Sequence, residues 1–117
     1  MKYTENNRIA LEEIARAAAQ GFGYTCRIRK DPDDSEIWIT IRQPKDDDNA
    51  VYPEVSFHES WNEKEPHRFE IITYGYGDHS IAQAQRVVAG LQTAIHMVRE
   101  MTRLGRRYGL NIRNNEL

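Results

Sequence analysis

The chain has 117 residues, of which 39% are hydrophobic and 29% charged, and its formal net charge is −2. This length predicts one domain over residues 1–117, and the absence of any apolar run of about 18 residues excludes a membrane-spanning helix. The first twenty residues lack the apolar centre of a signal peptide and the only cysteine, Cys26, excludes an internal disulfide, so we expect a cytoplasmic protein.

Residues 4–20 predict the first helix. Its apolar side chains recur at helical spacing, and they are Ile9, Leu11, Ile14, Ala15 and Ala18. Thr4 or Asn6 is suited to cap the start of this helix. Gly21 and Gly23 predict its end, because glycine accepts the left-handed conformation that follows a last helical turn.

The apolar period then changes to two over residues 24–30, 36–42, 52–59 and 67–75. Polar loops join these segments, which predicts four antiparallel strands in a meander with one buried face and one exposed face. Cys26 alternates onto the buried face and is predicted to be a core residue. The residues predicted on the exposed face are Arg27, Arg29, Trp38, Thr40, His58, Arg68, Glu70, Ile72 and Tyr74.

Residues 81–104 predict a long second helix with an apolar stripe at alternating steps of three and four, formed by Ile81, Ala84, Val88, Leu91, Ile95 and Val98. Four further apolar residues widen this stripe; they are Val87, Ala94, Met97 and Met101. We expect this stripe to cover the sheet, although the same spacing is also typical of a seam between two helices. Gly90 predicts a close approach to a strand or to the first helix, and Gly105 and Gly109 predict the end. The fold class is therefore α+β, with both helices on one face of the sheet.

The stretch YGYGDHS, residues 74–80, precedes this helix and has two glycines, as phosphate-binding loops do. It contains no lysine or arginine, it places Asp78 where an anion would bind, and it matches neither nucleotide-binding fingerprint. Ser80 and Gln83 have the Ser-x-x-Gln spacing of a capping box. We expect this stretch to be the turn into the helix and not a phosphate site.

In YGYGDHSIAQAQRVVAGL, residues 74–91, four residues fall near positions of a Gly-x-Gly-x-Ser-Lys-Lys-x-Ala-Lys pattern; they are Gly75, Gly77, Ser80 and Ala84. With the order helix, strands, helix, the chain resembles the double-stranded RNA-binding domain in topology. The resemblance implies a nucleic-acid-binding module. The family's phosphate-binding lysines correspond here to Ile81, Ala82 and Gln85, and the chain has one more predicted strand, so the resemblance is one of topology and not of membership.

No motif predicts a metal, a cofactor or catalysis. The histidines, which lack the close spacing of zinc ligands, are His58, His67, His79 and His96. The acidic stretches DPDDSE and DDDN lack the glycine and glutamate spacing of a calcium loop. Cys26 is predicted to be a core residue and Ser80 has only a sequence neighbour, His79, beside it, so we expect a protein that is not an enzyme.

Charge divides the chain into three segments. Residues 1–30 hold six basic and three acidic side chains, residues 31–70 hold four basic and twelve acidic ones, and residues 71–117 again hold six basic and three acidic. An acidic middle between basic flanks predicts a dipolar surface that favours association with a charged macromolecule.

From this layout we hypothesise a small non-catalytic binding protein that acts stoichiometrically on a protein or nucleoprotein partner. We further hypothesise that it is a phage or mobile-element inhibitor of a host defence nucleoprotein. The predicted contacts are the acidic loop residues Asp31, Asp33, Asp34, Glu36, Asp46, Asp47 and Asp48, together with Trp38 and Tyr74 on the exposed sheet face.

Two alternatives stay open. The first is a nucleic-acid-binding module that uses the basic end of the last helix, formed by Arg99, Arg103, Arg106, Arg107 and Arg113. The second is a self-associating structural protein, a homodimer that uses the long helix as a seam. Neither alternative requires a membrane.

Overall fold

The computed structural model describes residues 3–30, 36–44, 52–59, 66–74 and 78–116. Its elements are α1 (Glu5–Phe22), β1 (Thr25–Lys30), β2 (Ile37–Arg42), β3 (Glu54–His58), β4 (Glu70–Ile72) and α2 (Ile81–Arg107). The four strands form one antiparallel sheet in the order β1-β2-β3-β4. Because α1 packs on β1 and β2, and α2 packs on β3 and β4 beside α1, both helices cover the same face. The predicted α+β meander is confirmed.

Capping residues set the ends of α1. The Thr4 hydroxyl accepts a hydrogen bond from the Asn7 amide at 3.1 Å, so Thr4 is the N-cap. At the other end, Gly23 has a φ of 72°, and its amide donates to carbonyls of the last turn. The helix therefore continues to Phe22, two residues beyond the predicted end. Ile9 does not join the buried stripe as predicted, because it lies 44% exposed on the outer side of the helix.

The inner face of the sheet follows the predicted alternation. Ile37, Ile39 and Ile41 on β2 are at most 1% exposed, and Val55 and Phe57 continue this layer on β3. β1 is the edge strand, so its inward side chains are only partly covered. The half-buried Cys26 packs against the core from this edge, as expected for a small apolar residue.

The fourth strand is shorter than predicted. β4 includes only Glu70–Ile72, whereas alternation predicted a strand over residues 67–75. The C-terminal segment lies beside the residues that precede β4: the Arg113 amide donates to the His67 carbonyl at 2.8 Å, and the Asn115 side-chain amide donates to the Phe69 carbonyl at 2.7 Å. These backbone carbonyls therefore bond to the end of the chain.

The start of α2 has the predicted capping box. The Ser80 hydroxyl accepts from the Gln83 amide at 3.1 Å, and the Gln83 side chain accepts from the Ser80 amide at 3.0 Å. The prediction that Gly105 ends the helix is wrong. Gly105 is a buried helical residue, and a methyl group there would collide with the Ile112 side chain. The turn out of the helix comes at Gly109, whose φ is 83°.

α2 packs with only part of the predicted stripe. The buried residues of the helix are Gly90, Ala94, Met97, Val98, Met101, Thr102 and Gly105. The predicted Ala94, Met97, Val98 and Met101 are thus buried, whereas Ile81 is 80%, Val88 55% and Ile95 42% exposed. Small and flexible side chains occupy the contact because the helix lies close to the sheet. A Cβ atom at Gly90 would be 2.7 Å from Gln43 and 3.3 Å from Pro53, so the predicted close approach is to residues that flank β2 and β3.

A buried ion pair ties the start of α1 to the end of β3. Glu59 is 1% exposed and accepts two hydrogen bonds from the Arg8 guanidinium, at 2.9 and 2.7 Å. It also accepts one from the Tyr3 amide, at 2.6 Å. These bonds satisfy a carboxylate that would otherwise be costly to bury. The Tyr3 hydroxyl donates to the Asn111 carbonyl at 2.7 Å, which links the C-terminal segment to the same region.

Candidate binding surface

In the part of the chain that the structure describes, neither helix covers the second face of the sheet. Because β2 and β3 bury their inward residues, the alternate side chains project to this other side. We call this surface the open face, and it is formed by Arg27, Arg29, Trp38, Thr40, Arg42, Glu54, Ser56, His58, Glu70 and Ile72. Arg68 and Tyr74 flank it on either side of β4. The predicted exposed residues thus lie on or beside this face.

One row of the open face stacks a cation, an indole and an imidazole. The strand register places Arg29 opposite Trp38, and Trp38 opposite His58. The Trp38 and His58 rings stack with centroids 4.2 Å apart and planes inclined by 11°. The Arg29 guanidinium carbon lies 4.6 Å from the centroid of the Trp38 ring. Glu36 supports the row, since its carboxylate lies 3.4 Å from His58 Nε2. These contacts hold Trp38 in a defined orientation.

Tyr74 belongs to a separate cluster at the other end of the open face. Arg42 and Glu54 form an ion pair at 2.9 Å, and Glu54 is only 8% exposed. The pKa of Tyr74 is raised, first by desolvation and then by the charge of Glu54 and a hydrogen bond with it. Trp38 and Arg42 are four residues apart on β2, which corresponds to about 13 Å. The two aromatic residues predicted to bind a partner therefore do not form one patch.

A pocket of about 200 Å³ opens beside His58, where β3, β4 and the C-terminal segment meet. Its lining residues are Ser56, His58, His67, Arg68, Glu70 and Arg113. Arg68 and Glu70 are ion-paired at 3.3 Å. The lining holds two arginines and one carboxylate, so its formal charge is positive with the histidines neutral, and this charge suits an anionic group. It extends the stacked row toward β4.

The structure describes some of the acidic residues of the predicted dipole but not the aspartates of the predicted acidic loops. Asp31, Asp33, Asp34 and Asp46–Asp48 lie outside the described residues. The carboxylates of residues 31–70 that are described are Glu36, Glu54, Glu59 and Glu70, and each has a cationic or histidine partner. The described carboxylates of this segment are therefore not free charges: Glu59 pairs with Arg8 of the first segment, and the other three pair with side chains of their own segment.

Three of the predicted arginines at the end of α2, Arg99, Arg103 and Arg106, line one pocket of about 320 Å³. The Arg99 guanidinium donates two hydrogen bonds to Glu116, at 2.7 and 3.0 Å, and these bonds lower the pKa of Glu116. Arg103 bonds to Glu100 within the helix. Arg106 and Arg107 are exposed and, among the described residues, have no carboxylate at salt-bridge distance. Arg113 lies elsewhere, in the pocket beside His58.

The described residues hold no group of three or more histidine, cysteine, aspartate or glutamate side chains arranged to bind a metal ion. The Ser80 hydroxyl accepts a capping hydrogen bond, which gives it a structural role. Cys26 has a pKa that is raised, mainly by burial, which disfavours the reactive thiolate. Neither described helix has an apolar stretch that could cross a bilayer.

Sequence reasoning placed Arg29, Trp38 and His58 on the exposed face but missed that they form one row. Alternation assigns a face, whereas only the register decides which residues are opposite each other. It also missed that Arg113 and His67 line a common pocket, since no sequence signal relates the C-terminal segment to β4.

Comparison of the chain with protein-family models, with curated proteins and with solved structures found no match.

Proposed function

We propose that this is a small non-catalytic binding protein that occupies a surface of a macromolecular partner with its open face. The observation that carries the proposal is the row of Arg29, Trp38 and His58 on a sheet face that no described element covers. Tryptophan and arginine are the residue types that most often dominate binding energy at protein interfaces.

The fixed geometry of the row supports this proposal. Stacking on His58 and contact with Arg29 restrict the rotamers of Trp38 before any partner binds. A preorganised side chain loses less conformational entropy on association, so more of its contact energy appears as affinity. Cross-strand pairs of this kind also stabilise a sheet by about 0.2–1 kcal/mol each, so a test must separate binding from stability.

Capture of partners from the native host, with and without nuclease, provides the first test, followed by affinity measurement on the purified partner. We expect Trp38→Ala to weaken binding by at least about 2 kcal/mol, roughly 30-fold. Arg29→Glu should weaken binding as well, and it leaves the Trp38–His58 stack in place. Tyr108→Ala is the matched aromatic control, since Tyr108 is 69% exposed beyond the end of α2. The proposal would be refuted if Trp38→Ala and Arg29→Glu bound the partner as tightly as the wild type and the Tyr108→Ala control, at unchanged unfolding midpoints.

The acidic loops supply the second part of the proposed contact. Asp46, Asp47 and Asp48 belong to the loop between β2 and β3, and they carry charge suited to a basic partner surface. Reversing all three to lysine should abolish binding and leave the far-ultraviolet circular dichroism spectrum unchanged. Retained affinity at low salt would show that these aspartates are not contacts.

Nucleic acid binding is the second candidate, because Arg106 and Arg107 are exposed cations with no carboxylate at salt-bridge distance among the described residues. A mobility shift should then weaken with salt, with a logarithmic slope of about −0.9 for each phosphate neutralised on duplex DNA. Arg106→Glu combined with Arg107→Glu should remove the shift, whereas Arg16→Glu on the exposed side of α1 should not. No shift at low salt would exclude this candidate.

A further inference from the structure

The beginning of α2 extends past the packed body of the protein. None of residues 81–89 is buried, and the first buried residue of the helix is Gly90. Ile81 and Val88 within this stretch are 80% and 55% exposed. A short helical segment is only marginally stable by itself, because most helix stability in proteins comes from packing an apolar face. This segment thus presents apolar surface that the described part of its own chain does not cover.

The exposed apolar side chains follow a heptad repeat. They are the exposed Ile81, Ala84, Val88 and Ile95 together with the half-buried Leu91, and we call these five residues the α2 seam. A seven-residue repeat keeps one line of side chains facing a partner helix that coils around the first. This line is not the buried side of the helix, which includes Gly90, Ala94 and Met97. The helix thus has two apolar sides, one on the sheet and one with the spacing of a helix–helix contact.

From this geometry we propose that the α2 seam pairs with the same seam of a second copy, forming a two-fold symmetric dimer. β-branched residues at the first heptad position, which are Ile81, Val88 and Ile95, together with Leu91 at the fourth position, favour two strands over three or four. Gln85 and Gln92 flank the seam on its polar side and are uncharged, so two identical helices meet without like-charge repulsion.

A second copy fits these flanks better than a different protein does, because partner choice between unlike helices is usually set by opposite charges at the flanking positions. The seam provides five side chains on each copy, far fewer than the 20–30 residues a side of a typical stable interface. The dimer is therefore weak and depends on concentration. It does not depend on the proposed binding function, since the open face lies on the other side of the sheet.

Sedimentation velocity of the full chain over low to high micromolar concentrations tests the dimer. The wild type should shift from the 13.7 kDa monomer toward twice that mass as concentration rises. Val88→Glu should remain monomeric at every concentration. Ala84→Leu, which enlarges a small seam residue on an exposed helical site, should lower the dissociation constant about tenfold or more.

Ile9→Glu is the matched control, because Ile9 is a 44% exposed aliphatic residue of α1 outside the seam, and this variant should dimerise like the wild type. A wild type that stays monomeric at the highest concentration would overturn the proposal. So would a trimer, or a dimer that Val88→Glu leaves intact. Trp38→Ala should leave the mass distribution unchanged, so loss of partner capture and loss of dimerisation are distinguishable.

Discussion

Replacing Arg8 should lower the free energy of unfolding, because the buried carboxylate of Glu59 would lose its cationic partner. Glu59 is 1% exposed and receives three hydrogen bonds, two from Arg8 and one from the Tyr3 amide. Arg8→Met keeps the length of the apolar stem but leaves the carboxylate with one donor and no countercharge. Breaking a buried pair from one side typically costs about 3–5 kcal/mol, a large part of the roughly 5–15 kcal/mol that stabilises a domain.

Urea denaturation followed by circular dichroism measures this loss as a shift in midpoint at constant slope. Adding Glu59→Met to Arg8→Met should recover most of the stability, because the double variant buries no charge. The orphaned Tyr3 amide should leave a deficit of about 1–3 kcal/mol. Arg99→Met removes a fully exposed pair with Glu116 and should not move the midpoint measurably. A loss below about 1 kcal/mol for Arg8→Met would refute this reasoning.

Two further predictions concern groups that burial keeps uncharged. Burial raises the pKa of Tyr3 to about 12, so its contribution to stability is complete below the ordinary pKa near 10 and is lost as pH rises through about 12. Tyrosinate absorbance should show this late titration step in the wild type and not in Tyr3→Phe. If the titration curve of Tyr3→Phe were identical to that of the wild type, the late step would not belong to Tyr3. Cys26, whose pKa is also raised by burial, should react with iodoacetamide more slowly in the folded protein than in urea, and equal rates would show that its surroundings do not protect it.

Local interactions allowed the starts of the helices to be predicted well. Thr4 and Ser80 cap through hydrogen bonds to residues three positions away, so their role is visible in a short window of sequence. The strands were predicted for the same reason, since alternation of Ile37, Ile39 and Ile41 needs no knowledge of the neighbouring strand. β4 was predicted too long because residues 67–69 face the C-terminal segment, which is distant in sequence.

The orientation of α2 shows where apolar periodicity is insufficient. The heptad stripe and the buried side overlap around the helix, and both contain enough apolar residues to form a contact. The close approach of Gly90 to Pro53 and Gln43 favours the side with the smaller residues. Helix–sheet distance is a property of the packed protein, so the sequence pattern alone did not separate the buried residues of the predicted stripe from its exposed ones.

The amino-acid sequence by itself determined the class of fold, the order of its elements and the face of each strand that is buried. The reason is that buried apolar residues recur at a fixed spacing along each helix and each strand, and this spacing is visible in a short window of sequence. The tertiary structure alone decided which side chains are neighbours across strands. It placed Arg29 and His58 on either side of Trp38, Arg113 beside His67, and Arg8 against Glu59. These contacts join residues far apart in sequence, and they depend on strand register and on the path of the C-terminal segment, which no local pattern encodes.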